Sequence, residues 1–179
     1  MTLRAVVGFG SNLGDRLATM RAALAELARV ARVEATSRVY ESPALVWCSS
    51  GTPDGARPRS PARVSHPSGV RTQGPPQGDY LNAAALVTWE GEPEALLDAL
   101  LGIEAKLGRV RRETWGPRTI DLDVLWIEGR EVHTPRLTVP HPELAKRAFA
   151  VAPLLDVAPA APYAVPPGEL RELETAGRL

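Results

Sequence analysis

Asp121 and Asp123 are the residues whose type and spacing carry the clearest chemistry in this chain. They interrupt Thr119-Ile120-Asp121-Leu122-Asp123-Val124-Leu125-Trp126-Ile127, a run otherwise β-branched or large and apolar, with Pro117 just ahead of it where a strand start tolerates proline. Alternate residues of a strand share a face, so the two carboxylates point the same way, their Cα atoms about 6.5 Å apart at a rise of about 3.3 Å per residue. Their like charges repel, and something cationic must hold them: a hard metal such as Mg²⁺, or arginine. Upstream, Gly108-Arg109-Val110-Arg111-Arg112-Glu113-Thr114-Trp115 supplies three arginines, and Arg118 follows. Arginine's planar fork suits phosphate oxygens, so a carboxylate pair opposite several arginines predicts nucleotide phosphate chemistry. Two aspartates merely solvated at a strand end, or paired with Arg118, are the plainer alternative.

The elements that must position these groups belong to one domain, the size that 179 residues predicts, spanning 1–179. A formal net charge of zero argues against a general binder of nucleic acid or membrane surface, so an anionic ligand must meet locally concentrated arginines. Lys106 and Lys146 are the only lysines, so the high arginine content is in part a compositional habit, which weakens inference from any single arginine. Cys48 is the only cysteine, which excludes an intrachain disulfide and a cysteine-built zinc site. No apolar run approaches 18 residues and no signal-peptide pattern follows Met1, so a cytoplasmic protein is expected.

Along the chain, Ala5–Gly10 reads as a buried, glycine-rich strand whose backbone something approaches closely. A helix follows with the stripe Leu13, Leu17, Met20, Leu24, Leu27 and Ala31, and Ser11 or Asn12 as N-cap. Gly8-Phe9-Gly10-Ser11-Asn12-Leu13-Gly14 matches neither the dinucleotide fingerprint nor a Walker loop. Glu34–Tyr40 forms a second strand with Val33, Ala35, Ser37 and Val39 on one face. From about 46 to 78 prolines, serines, glycines and arginines dominate, which predicts a long mobile insertion.

Tyr80–Trp89 is a third strand, with Tyr80, Asn82, Ala84 and Leu86 on one face, either a wall for a flat ring or simply a half-buried strand end. Pro93 opens a second helix and Gly108 closes it; its stripe is Leu97, Leu100, Leu101 and Glu104. Glu104 is then a carboxylate on an apolar face, expected to meet an arginine or a ligand donor. After the aspartate strand come a turn at Glu128-Gly129-Arg130, a short strand through Val132 and the extended Arg136–Pro142. A helix from Glu143 carries Leu144, Arg147, Ala148 and Val151, and a last helical stretch covers Glu169–Thr175. The order β-α-β-β-α-β predicts an α+β, ferredoxin-like fold, helices packed on a mostly antiparallel sheet, with C-terminal helical segments added.

Several of these stretches together resemble the 6-hydroxymethyl-7,8-dihydropterin pyrophosphokinase family. They are Gly10-Ser11-Asn12-Leu13-Gly14-Asp15, Tyr40-Glu41-Ser42-Pro43, Tyr80-Leu81-Asn82-Ala83-Ala84, Ile103-Glu104 with Gly108-Arg109-x-Arg111, Trp115–Asp123 and Arg136-Leu137-Thr138-Val139-Pro140-His141. The resemblance implies an enzyme of folate biosynthesis that moves diphosphate from ATP to the pterin hydroxymethyl group and releases AMP. It implies that Asp121 and Asp123 hold two Mg²⁺ ions, with Arg109, Arg118 and Asp123 catalytic. Glu104, Arg111, Arg118, Val124, Arg136, Thr138, His141 and Arg147 would contact ATP. Ser42, Pro43, Leu45, Tyr80, Asn82, Trp115 and Phe149 would hold the pterin, its ring between Trp115 and Phe149. The implied partners are ATP and the pterin, with no nucleic acid and no membrane, and a monomer is expected. The chain departs from the family pattern at Ser42–Val46, in the length of the insertion, and at Thr114, where a basic residue is usual. A noncatalytic nucleotide or RNA-binding module with the same strand order is the rival; RNA recognition fares poorly without stacked aromatics or a basic surface.

Overall fold

The computed structural model of the chain describes residues 1–43, 78–108 and 119–179. β1 (Thr2–Ser11) runs through the middle of the main sheet and leads into α1 (Arg16–Val30). β2 (Arg32–Thr36), β3 (Tyr40–Ser42) and β4 (Tyr80–Glu90) follow, then α2 (Pro93–Lys106) and β5 (Asp121–Ile127). A small hairpin sheet of β6 (Val132–His133) and β7 (Thr138–Val139) precedes α3 (Ala148–Val157) and the late strand β8 (Arg171–Glu172). The main sheet has the order β5-β1-β4-β3-β8, with β2 also on β4, and its recorded pairings are antiparallel. Leaving out β8, this is the ferredoxin-like arrangement that the strand and helix order predicts, its second strand split in two.

Alternation along β1 and β4 divides the core into two layers. Ala5, Val7 and Phe9 of β1 and Leu81, Ala83, Ala85 and Val87 of β4 pack with Met20, Ala23 and Leu27 of α1 and Leu96, Leu100 and Ile103 of α2. On the other face Val6, Ala84, Leu86 and Leu125 meet Val151, Leu154 and Val157 of α3. The expected C-terminal helical segment therefore covers the face that α1 and α2 leave open.

Several expected boundaries move, each for a physical reason. α1 starts at Arg16, capped by the Asp15 carboxylate on the Ala18 N–H at 3.1 Å, and not by Ser11 or Asn12. Ser11 instead ends β1, its hydroxyl donating to the Thr119 carbonyl at 2.6 Å, and Leu13 lies exposed before the helix. The second strand is interrupted over Ser37–Val39. There the Ser37 hydroxyl accepts the Ala84 N–H at 2.8 Å and so replaces a ladder acceptor. On α2 the buried stripe is Leu96, Leu100, Ile103 and Glu104, one step round from the expected one.

The helix expected from Glu143 is a single 3₁₀ turn, Leu144–Lys146, and the chain is extended at Arg147 before α3 begins. The tail expected as helix over Glu169–Thr175 makes β8 and then a 3₁₀ turn, Glu174–Ala176, because β3 offers it an open edge. The expected insertion at about 46–78 lies outside the described residues but for Gly78. Among the described residues no helix is long and apolar enough to cross a membrane.

Candidate active site

The register of β1 shows why its glycines alternate. Gly10 pairs with Asp121 on one side and with Asn82 on the other; Gly8 pairs with Asp123 and with Ala84. The two carboxylates are thus each flanked, toward the centre of the sheet, by a residue without a side chain. A methyl group added at Gly10 would sit 3.8 Å from the Asp121 Cβ and 3.9 Å from Tyr80 Cδ1, so Asp121 and Tyr80 border one open patch. At Gly8 it would lie 2.9 Å from Leu125 Cδ1, close enough to force that side chain aside.

Asp121 and Asp123 share a half-buried face, as alternation predicts, while Ile120, Leu122 and Val124 are buried in the α1/α2 layer. The register with β1 then jumps: Val7 pairs with Val124 but Val6 with Trp126, so Leu125 is an extra residue in the strand. Its side chain joins the α3 layer, and its carbonyl accepts the His141 N–H at 2.9 Å. The bulge therefore ties the segment after β7 to the aspartate strand.

A cleft opens here, lined by both aspartates, Gly8, Gly10 and Asn82 from the sheet and by His141, Arg147 and Phe149 from beyond it. His141 Nδ1 accepts the Glu143 N–H at 3.2 Å, which leaves Nε2 to carry the proton of the neutral ring. The Arg147 guanidinium lies 5.9 Å from the Phe149 ring centroid, a cation–π contact at the mouth of α3. Asn82 Nδ2 donates to Ser42 Oγ at 3.0 Å and toward the Tyr80 carbonyl at 3.4 Å. With the amide so turned, its Oδ1 is the atom suited to accept from a ligand.

The structure thus brings Asp121, Asp123, Asn82, His141, Arg147 and Phe149 to one cleft, with Ser42 bonded to Asn82 and Tyr80 beside Gly10. Pro43 lines a neighbouring hollow with Glu41, Ser42 and Arg171. Other candidates stand apart. Arg136 pairs with Asp98 of α2, which holds that carboxyl below its ordinary range and raises the guanidinium. Thr138 is half-buried in β7. Val124 has its side chain in the α1/α2 core, which leaves its backbone for any ligand. Glu104 is 2% exposed behind β5, where Oε1 accepts the Leu122 N–H at 2.7 Å, between the two aspartates. The arginine expected to meet it would come from a stretch that is not described. Leu45, Arg109, Arg111, Thr114, Trp115 and Arg118 lie outside the described residues.

Among the described residues no three metal-ligating side chains converge. Two carboxylates suffice, however, for Mg²⁺, which commonly takes one or two carboxylates and completes its shell with water and substrate phosphates. Gly10 leaves space beside Asp121, while Leu125 fills the place over Gly8 beside Asp123, so this donor set, open on one side, fits a metal–nucleotide complex better than a closed protein cage.

Known proteins resemble this chain in sequence and in fold. The sequence pattern of the family described as 7,8-dihydro-6-hydroxymethylpterin-pyrophosphokinase (HPPK) matches residues 6–159. A 2-amino-4-hydroxy-6-hydroxymethyldihydropteridine pyrophosphokinase of Synechocystis is 40% identical over 155 residues, covering 87% of this chain and 66% of that protein. One of the same name from Methylorubrum extorquens is 39% identical over 158 residues, covering 87% and 83%. Among solved structures, the wild-type HPPK-DHPS of Plasmodium falciparum with SDX-DHP superposes with a TM-score of 0.61 at 14% identity. That match covers 98% of this chain and 44% of the Plasmodium chain and speaks to the fold alone.

Proposed function

Because the chain belongs to the 7,8-dihydro-6-hydroxymethylpterin-pyrophosphokinase family, we propose that it transfers diphosphate from ATP to the hydroxymethyl group of 6-hydroxymethyl-7,8-dihydropterin. AMP is the leaving group, and the step belongs to folate biosynthesis. The observation that carries the reading is the pair of rows across β1, Asp121–Gly10–Asn82 and Asp123–Gly8–Ala84. They set two carboxylates and a carboxamide on one floor, with open space at Gly10 between Asp121 and Asn82 and the Leu125 side chain over Gly8. The carboxylates suit the phosphate end of a metal-bound nucleotide, and the carboxamide suits a flat heterocycle with hydrogen-bonding edges.

In this reading Asp121 and Asp123 hold two Mg²⁺ ions, which when bound neutralise phosphate charge and orient the reacting oxygens. Arg109 and Arg118 act on the transferring phosphates, and Arg111, Arg136, Thr138, His141, Arg147 and the backbone of Val124 lie around the nucleotide, while Glu104, buried behind β5, serves it only through that strand. His141, with its proton on Nε2, donates to a phosphate or ribose oxygen. Asn82 Oδ1 accepts from the pterin, Ser42, Pro43, Leu45 and Tyr80 border it, and Phe149 with Trp115 sandwiches the ring. The orientation supplied by such a sandwich is worth much of the rate, since a fixed near-attack geometry replaces a bimolecular encounter. The reading includes a cytoplasmic setting, where ATP is available, and a monomeric chain.

The test is a product analysis. Purified protein given ATP, Mg²⁺ and the reduced hydroxymethylpterin should form AMP and pterin diphosphate in equal amounts. ADP with a pterin monophosphate, or no pterin-dependent turnover of ATP, would overturn the proposal.

A further inference from the structure

Glu41 takes no part in the proposed reaction, yet two arginines hold it beside the substrate residues. It sits on β3 between Tyr40 and Ser42, and alternation turns it to the opposite face, toward α1. Its side chain is 12% exposed and accepts from Arg16 Nη1 at 3.0 Å and from Arg171 Nη2 of β8. The same Arg16 Nη1 donates to the Asp79 carbonyl at 2.6 Å. One guanidinium at the start of α1 therefore joins β3 to the residue that leads into β4.

β3 and β4 register as Tyr40 with Asn82, Glu41 with Leu81 and Ser42 with Tyr80. Whatever fixes this three-residue ladder on the α1 side also fixes the Ser42–Asn82 hydrogen bond on the α3 side. Three pairs are a short ladder that would slip easily without lateral support. The Arg171 guanidinium, against the effect of burial and with help from Arg16, holds the Glu41 carboxyl below its ordinary range, so the contacts are ionic at neutral pH. The Arg171 arm comes from beyond residues 6–159, the span that matches the family pattern.

We propose that Arg16, Glu41 and Arg171 form a clamp that sets the position of Ser42 and Asn82, making Glu41 a positioning residue for pterin affinity. The proposal rests on the reading above that Ser42 and Asn82 receive the pterin. It separates the two substrates: the clamp touches the β3–β4 ladder and leaves the aspartate strand alone. A merely structural role would weaken both substrates together.

The experiment uses the full chain with Glu41→Gln and Arg171→Met. Affinity for 6-hydroxymethyl-7,8-dihydropterin is read by fluorescence in the presence of Mg²⁺ and α,β-methylene-ATP, and affinity for the nucleotide analogue by calorimetry. Losing a charge-assisted contact of this kind should raise the pterin Kd about tenfold in Glu41→Gln and about threefold in Arg171→Met, with the nucleotide Kd within about twofold of wild type. An unchanged pterin Kd, or equal weakening of both ligands, overturns the clamp. Should Glu41→Gln fail to fold, Arg171→Met, on an exposed arm, decides by the same two affinities. If wild-type protein binds no pterin, the proposed function fails instead. The clamp is then judged by amide hydrogen exchange at Tyr80–Asn82, expected about tenfold faster in Glu41→Gln and overturned by unchanged rates.

Discussion

At the residue scale the proposed chemistry turns on two carboxylates that a strand holds side by side, joined by no third metal-ligating side chain among the described residues. Their like charges repel, and in the proposed reaction a bound cation would offset that repulsion. Asp123→Asn and Asp121→Asn keep the shape of each side chain while removing its charge, so the fold should stand while turnover falls. Loss of one preorganised group that acts on developing charge costs about 10²–10³-fold in kcat. Steady-state rates with saturating Mg²⁺, beside circular dichroism for the fold, make the check; near-wild-type kcat in either variant would remove the metal assignment. The shared face of the two aspartates was legible from the period of two. The glycines opposite them were legible as a close approach of something to the backbone. What approaches was not, since register across β1 depends on partners far along the chain.

At the scale of elements, α2 and β5 are joined by a contact that the sequence half disclosed. Glu104 falls on the buried stripe of α2, and a carboxylate there demanded a partner. A partner that is backbone, the Leu122 N–H on the outer edge of β5, leaves no mark in sequence. The expected outcome follows from leaving that N–H unsatisfied in the core. Glu104→Leu should lower the unfolding free energy by about 1–3 kcal/mol, and Glu104→Gln, which keeps an acceptor, by less. Urea denaturation of the two variants measures the difference, and equal stability of Glu104→Leu and wild type would show the bond carries no weight. Other elements departed from their patterns for similar tertiary reasons. Ser37 reads as a strand residue and in fact ends one, because its hydroxyl serves Ala84. β8 reads as helix until the open edge of β3 is known. The Pro93 start and Gly108 stop of α2 held, since both act within a single turn, Gly108 at φ +80°.

Across the whole molecule, the tail and α3 are fastened to the sheet at Asp156. Its carboxylate, at the end of α3, accepts from the Arg38 backbone N–H at 3.0 Å and the Tyr40 hydroxyl at 2.9 Å and pairs with the Arg38 guanidinium, which also reaches Glu172 at 2.8 Å. Burial opposes its ionisation, but the bonds from Arg38 and Tyr40 win and hold it below its ordinary 3.8. A lowered carboxyl pKa contributes stability that is complete above the unfolded value and lost as pH falls through the folded one. Asp156→Asn should therefore be less stable than wild type by about 1–3 kcal/mol near pH 7, with the gap closing below about pH 4. Thermal melts across that range test it; a gap independent of pH would mean the charge is not what fastens α3. Burial first, and the Asp156 bond second, push the Tyr40 phenol up to about 12, so its contribution is complete below about pH 10 and fades as pH rises toward 12.

The position of β1 bears also on how the protein comes to be active at all. Both ladders beside it join segments that lie far apart in the chain, and the candidate site straddles both, with Asp121 on one side of Gly10 and Asn82 on the other. Such non-local pairing must meet its loop-closure entropy before it gains any contact, which places it late in folding. The split strand β2 and β3 paired with β4, with or without α1 docked on it, would hold Ser42 and Asn82 and neither aspartate. Activity therefore requires the strand β5 to be docked on β1: during refolding it is expected to return with that ladder and not in proportion to the secondary structure already regained.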